Sequence, residues 1–357
     1  MKLIHCADLH LDSKMESNLP KDKAEERKKE LLQTFSRMVL YAEKNDVQAI
    51  IIAGDLFDTA STQQIRIKNQ IEYEITQHPK IDFIYLRGNH DKDDYFASME
   101  QKPANLKCFT DKWSSFSYNG IVVTGRELSD TMTDSVYNEL VLNPEEVNIV
   151  VMHGQTANSD GNTPLINLKK LMNKNIDYLA LGHIHSHQCE KLDSRGKWAY
   201  AGCLEGRGFD ECGEKGFYVL DCDGKKIEPT FVNFAARTIH EVPVTLHDGM
   251  EYKEILEAIK KETIAVPKKD LVKIVLEGDV SENTEIDIAG YEQQLESSFY
   301  FVKIEDETQL AIDFTKYRGE VSLKGEFVKH VEEQNIPLEE KNKIIMAGLK
   351  ALAGQRV

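Results

Sequence analysis

Five short stretches of the chain end in side chains that bind divalent cations: Asp8-Leu9-His10, Gly54-Asp55-Leu56-Phe57-Asp58, Gly88-Asn89-His90-Asp91, His153-Gly154 and Gly182-His183-Ile184-His185. Together they offer Asp8, Asp55, Asn89, His10, His153, His183 and His185 as ligands, with His90 to spare. Oxygen and imidazole donors in that number suffice for two divalent ions sharing a carboxylate. A paired-cation site suits in-line displacement at phosphorus, because the ions orient the phosphoryl group and offset charge on the attacking and leaving oxygens. Each stretch alone says little, since a single histidine is more often a hydrogen-bonded core or surface residue. Their order, and what precedes each of them, carries the inference.

Each stretch follows an apolar run, at residues 3–6, 49–53, 83–86, 148–152 and 178–181. Continuous apolar runs of this length predict strands buried on both faces. Ligands just past the carboxyl ends of such strands converge on one rim of a sheet, where open α/β folds place their sites. Gly54, Gly88, Gly154 and Gly182 would let the backbone turn as it leaves each strand. Helical periodicity predicts helices over 23–45, 62–77 and 165–173, and Asn162-Thr163-Pro164 marks a turn or helix start. Strands at 198–201, 217–222 and 227–231 follow, the last two joined across Asp223-Gly224. Parallel and antiparallel strands therefore coexist.

The ordered set of stretches is similar to that of the calcineurin-like metallophosphoesterases. Residues 4–12, 53–58 and 86–91 resemble one branch, the DNA double-strand-break nucleases: the SbcD subunit of bacterial SbcCD and its archaeal and eukaryotic counterparts. Residues 200–206, with Phe209, Glu211, Gly213, Lys215 and Gly216, resemble the segment after the last metal stretch of that branch. The resemblance runs to about residue 235 and is loose beyond it. It implies an α/β fold, a four-layer α-β-β-α sandwich metallophosphoesterase core with a smaller α/β capping domain and a C-terminal helical tail. The corresponding boundaries are 1–236 for the core, 237–310 for the cap and 311–357 for the tail.

The resemblance also implies roles. One metal would be held by Asp8, His10, Asp55 and His185, the other by Asp55, Asn89, His153 and His183, with Asp55 bridging. Oxygen and imidazole ligands without thiolate suit two Mn ions, with Mg, Fe or Zn possible. His90 would bond the phosphate or protonate the leaving oxygen, and Asp91 would orient its imidazole. Asp58 stands where some relatives have histidine; there it would orient a ligand histidine or contact water at the metals. Arg87 and Arg207 are candidate phosphate contacts, or else solvated surface arginines. His5 reads as structural and Cys6 as a small buried hydrophobe.

From about residue 236 the pattern becomes β-α-β-α-β: strands at 238–244, 271–276 and 299–304, helices at 252–263 and ending over 290–298. Residues 322–334 and 338–353 then read as helices. Leu323, Phe327 and Val331 form one stripe, and Ile345, Leu349 and Leu352 another. Two short helices cannot bury both stripes alone. They pack on the body or dock on a partner, and the resemblance implies the coiled-coil base of an SbcC-type ABC ATPase. DNA and a possible homodimer complete the expected partners.

The chain has 357 residues, 41% hydrophobic and 29% charged, as in globular proteins. No apolar run approaches the roughly 20 residues that cross a bilayer. Entry directly into a strand argues against a signal peptide. Six scattered cysteines without C-x-x-C fit a reducing, cytoplasmic setting. The formal charge of −16 argues against a stand-alone DNA binder, since lysine and arginine supply most non-specific DNA affinity. Three functions compete: a nuclease subunit, a phosphodiesterase for small substrates such as cyclic nucleotides, and a subunit that only tethers the ATPase. The complete ligand set disfavours the third, and the second domain and helical tail disfavour the second.

Overall fold

Each apolar run forms a strand in the computed structural model, which describes all residues except 16–18, 59–63, 92–95, 97–98, 100, 129–133, 157–164, 225, 282–283, 311–320 and 353–357. The elements run β1 (Lys2–Cys6), α1 (Lys21–Lys44), β2 (Val47–Ala53), α2 (Gln64–Gln77), β3 (Asp82–Leu86), β4 (Leu106–Cys108), β5 (Ser114–Tyr118), β6 (Ile121–Gly125), α3 (Ser135–Glu139), β7 (Val147–His153), α4 (Leu168–Leu171), β8 (Tyr178–Gly182), β9 (Gln188–Lys191), β10 (Lys197–Tyr200), β11 (Gly216–Asp223) and β12 (Lys226–Asn233). The turn expected at 162–164 lies outside the described residues. The helix expected over 165–173 shrinks to α4, whose start is capped by Asn167 accepting from the Lys169 N–H.

Two six-stranded sheets result, in the orders β12-β11-β1-β2-β3-β4 and β5-β6-β7-β8-β10-β9. The strands that precede the metal-binding stretches pair in parallel: β1 with β2, β2 with β3, and β7 with β8. Antiparallel β11 and β12 extend the first sheet. The period-two alternation of a strand divides its side chains between two cores. In β2, Ile50 and Ile52 pack with Leu31, Phe35 and Met38 of α1, while Ala49 and Ile51 face the other sheet. There they meet Ile149, Val151 and Ala180. Val150, Met152 and Leu179 on the far side pack against Val136, Tyr137 and Leu171. The layers are therefore helix, sheet, sheet, helix.

Several buried polar groups tie this frame together. Arg27 and Thr34 of α1 are buried, and both donate to the buried Glu205, at 3.0 and 2.6 Å. The Ala236 N–H also donates to Glu205, so one carboxylate ties α1 to the end of the sandwich. His5 lies between the sheets with Nδ1 2.9 Å from the Tyr178 hydroxyl. Burial pushes His5 down to about 3, so it is neutral and structural.

The chain divides into two units, Met1–Ile239 and His240–Val357. The expected cap and tail thus fall in one unit. It contains β13 (Ile239–Thr245), α5 (Tyr252–Glu262), β14 (Leu271–Glu277), β15 (Asp279–Val280), α6 (Ile288–Leu295), β16 (Phe301–Asp306), β17 (Gln309–Leu310), α7 (Leu323–Glu332) and α8 (Leu338–Leu352), with β13 starting at the boundary. Strands β13, β14 and β16 form a sheet on which Ile255, Ile259, Tyr291 and Leu295 pack. The helices α7 and α8 bury Val328, Val331, Ile345 and Leu349 against each other. Leu323 and Leu352, from the predicted stripes, stay exposed. Among the described residues no helix is long and apolar enough to cross a membrane.

Candidate metal centre

The carboxyl ends of β1, β2 and β3 in one sheet and of β7 and β8 in the other bring the predicted side chains together. Asp8 and His10 follow β1, Asp55 and Asp58 follow β2, and Asn89 and His90 follow β3. His153 ends β7, and His183 and His185 follow β8. Ligand atoms of Asp8, His10 and His185 lie within 4.8 Å of one another, as do those of Asp55, His153 and His183. The Asn89 Oδ1 is 2.9 Å from His153 Nε2 and 3.2 Å from His183 Nδ1, which places it on the second cluster. Asp55 Oδ2 lies 3.4 Å from His153 Nε2 and 3.8 Å from His10 Nε2, so one carboxylate faces both clusters.

The backbone is bent hard to achieve this. Asp8, His10, Asp55 and His183 all sit at positive φ, 51°, 41°, 51° and 108°. Such conformations are costly for side chains larger than glycine and gather at functional sites. Gly54, at φ 96°, is also required for space, because a Cβ there would overlap the His153 ring. Gly88 is required for space alone: a Cβ would overlap the Asp55 carboxylate. Its role is close approach, not the turn expected of it.

Charge and hydrogen bonding show what these residues can hold. Asp8 and Asp55 are both 1% exposed. Burial, reinforced by Asp55, raises Asp8. Burial would also raise Asp55, but His153 and His10 hold it well below the ordinary carboxylate range. Burial would lower His153, yet Asp55 and Asp8 lift it to about 9. His183 falls to about 4 through burial and the neighbouring His153. Two buried carboxylates thus lie among imidazoles, a place that divalent cations would take. His10 is 1% exposed, and among the described residues neither ring nitrogen makes a hydrogen bond, Nδ1 lying 3.4 Å from Asp58 Oδ1. Buried polar atoms are rarely left so, and a cation at His10 removes the deficit. The donor set and the orphaned imidazole fit two divalent ions.

The sequence model for the family described as calcineurin-like phosphoesterase matches residues 1–187, the span that ends just past these ligands. The chain belongs to the calcineurin-like phosphoesterases. It is therefore a metal-dependent phosphoester hydrolase. Among curated relatives, an uncharacterized metallophosphoesterase, YhaO of Bacillus subtilis, is 26% identical over 303 residues, 79% of this chain and 73% of that one. The DNA double-strand break repair protein Mre11 of Saccharolobus solfataricus is 26% identical over 343 residues, 89% of this chain and 85% of the relative. Mre11 of Sulfolobus acidocaldarius is 25% identical over 296 residues, 78% and 76% of the two chains.

Within this calcineurin-like centre two expectations need correction. Asp91 does not orient His90. Its carboxylate is buried and accepts from the N–H groups of Leu56, Phe57 and Gly88 at 3.2, 2.9 and 2.9 Å, tying the loop after β2 to the loop after β3. Burial, with Asp55 nearby, raises it to about 6. The carboxylate beside His90 is Asp58, 3.5 Å from His90 Nδ1 and 3.4 Å from His10 Nδ1. Contact with His10 keeps Asp58 below its ordinary value, with Arg207 adding to it. The arginines are also paired: Arg87 binds Glu127 through Nε and Nη2 at 2.8 and 2.6 Å, and Arg207 binds Glu211. Both are partly buried.

Sequence reasoning gave no role to Glu211 or to the Ala53 carbonyl, which accept from His185 Nδ1 at 2.6 Å and His153 Nδ1 at 2.9 Å. Burial would raise Glu211, but His185 and Arg207 hold it far below the ordinary range. Glu211 lies in the segment that resembles the family, yet no local spacing connects it to His185.

Proposed function

We propose that this chain is the nuclease subunit of a DNA-end processing complex, hydrolysing phosphodiester bonds with two Mn ions and working with an SbcC-type ATPase. The single observation that carries the reading is the complete set of ligand residues on one rim, with His90 exposed beside it. The Mre11 relatives add the substrate class. Coverage of 89% of the chain exceeds Met1–Ile239, so that likeness extends into the second unit.

Asp8, His10, Asp55 and His185 would hold one ion and Asp55, Asn89, His153 and His183 the other. When bound, the ions supply a nucleophile at neutral pH and offset charge on the phosphoryl oxygens. The protein does the rest. Ala53 fixes the His153 tautomer through Nδ1, and Asp8 accepts the His183 N–H at 2.9 Å, joining the two sheets across the site. His90, held near Asp58, gives a proton to the leaving oxygen. The helices α7 and α8 dock on the ATPase through faces bearing the exposed Leu323 and Leu352.

A small phosphodiester is the second reading. It is favoured by the formal charge of −16 and by the pairing of Arg87 and Arg207 with glutamates. End-labelled duplex and hairpin DNA with Mn²⁺ decides between them, with Asp55→Asn as control and bis-p-nitrophenyl phosphate in parallel. Degradation of DNA by the wild type and none by Asp55→Asn is expected. Hydrolysis of the nitrophenyl diester with DNA intact, also in the presence of the ATPase, would overturn the nuclease reading. Removing residues 322–357 should leave the nuclease active and abolish ATPase capture; retained capture would overturn the docking role.

A further inference from the structure

Glu211 lies beyond the residues that the family's sequence model covers. Its carboxylate is 5% exposed and meets only donors. Oε1 accepts from His185 Nδ1 at 2.6 Å and Arg207 Nη2 at 2.8 Å. Oε2 accepts from the Arg207 main-chain N–H at 2.7 Å, with Cys203 Sγ at 3.7 Å. Arg207 Nε is 3.2 Å from Oε1 and 3.4 Å from Oε2. The main chain of His185 is pinned as well: its carbonyl accepts from Lys215 Nζ at 2.9 Å and from the Cys203 N–H at 3.2 Å.

We propose that Glu211 is a positioning residue for one of the two cations, holding His185 with its proton on Nδ1 so that Nε2 is presented as a ligand beside Asp8 and His10. The inference rests on the two-cation reading of the centre. An ionised carboxylate accepts and never donates, so a ring nitrogen 2.6 Å from it carries the proton; Arg207 Nη2 is also 3.2 Å from that nitrogen, but it donates to the Glu211 carboxylate at 2.8 Å. The other nitrogen keeps its lone pair, which coordination requires. Arg207 balances the buried charge, so the carboxylate stays ionised without drawing the imidazole out of place. The effect is confined to one cluster. His153 on the other is oriented by the Ala53 carbonyl.

Glutamine at this position is a strong test because both carboxylate oxygens face donors. Its NH₂ group must oppose either the Arg207 N–H or the imidazole, and in the second case it favours the tautomer that cannot ligate. Calorimetric titration of the full chain with Mn²⁺ should show two cations for the wild type. In Glu211→Gln one dissociation constant should rise about 10- to 100-fold while the other is unchanged. Two unaltered constants in the variant would overturn the proposal and leave the two-cation reading standing. Fewer than two cations in the wild type would overturn both. A measurement without that variant guards against misfolding: ¹⁵N-histidine spectra of the Zn²⁺-loaded wild type, with the His185 signal assigned by its loss in His185→Gln. A proton on Nδ1 is expected; a proton on Nε2 would overturn the proposal.

Discussion

The two halves of the metal centre are built differently. In the half formed by Asp55, Asn89, His153 and His183, the support comes from the neighbouring strands themselves: the Ala53 carbonyl orients His153, and Gly54 and Gly88 make room for the His153 ring and the Asp55 carboxylate. In the half formed by Asp8, His10 and His185, support arrives from a segment 26 residues beyond the last ligand, through Glu211. Main-chain support depends on strand register, which the apolar runs dictate. Side-chain support depends on where a loop is carried by the remaining fold. The first half should therefore tolerate changes in surrounding loops, and the second should be open to tuning by them.

The largest test of this contrast removes what the halves share. Asp55→Asn takes away the one carboxylate that faces both clusters. Both cations should weaken together and hydrolysis should fall to background, as read by calorimetry and cleavage of labelled DNA. Loss of only one cation would mean that the halves are joined by some other group. Next in size is His90→Gln. His90 lies outside those two clusters, in a third group with His10 and Asp58, and is exposed. The variant should keep both cations while hydrolysis drops roughly 10²- to 10⁴-fold. Unchanged cleavage would remove His90 from the chemistry.

Asp58 and Asp91 sharpen the point on a smaller scale, since both flank His90. Asp58→Asn should cost roughly 10- to 100-fold in activity, because Asp58 lies against His10 and His90. Asp91→Asn should act on stability. Asp91 accepts three main-chain N–H groups, and an amide can accept at only one of its two atoms. Denaturant unfolding should show a loss of about 2–3 kcal/mol, the cost of a buried charge-assisted bond, with cation affinity kept. An activity loss without a stability loss would return Asp91 to the role first expected of it.

The same division explains how far the sequence could be read. The strands, their layers and the convergence of seven candidate ligand residues were legible because period and motif are local: Ile50 and Ile52 against Ala49 and Ile51 already separate two cores. The part played by Asp91 was not. Adjacency to His90 suggested a pair, whereas the chain turns after β3 and points the carboxylate at the loop after β2. Glu211 was invisible as a partner of His185 because nothing in the intervening residues fixes the return of the chain.

The smallest effect concerns the frame that carries both halves. His5 stands between the two sheets, bonded to Tyr178, and is pushed down to about 3 by burial. Its unfolded value is about 6.5, so the unfolded chain takes up the proton first. Stability from this group is complete above the unfolded value and is lost as pH falls toward the folded one. Between about pH 7.5 and about pH 5 the wild type should lose about 2 kcal/mol through His5, at about 1.36 kcal/mol per unit. Urea unfolding of the chelated protein should show that slope, and His5→Asn should lack it. Because His5 touches neither cluster, the variant should change both cation affinities by the same factor or not at all. A selective loss at one half would show that the sheet interface supports the two halves unequally, and the contrast between main-chain and side-chain support would need to include the core beneath them.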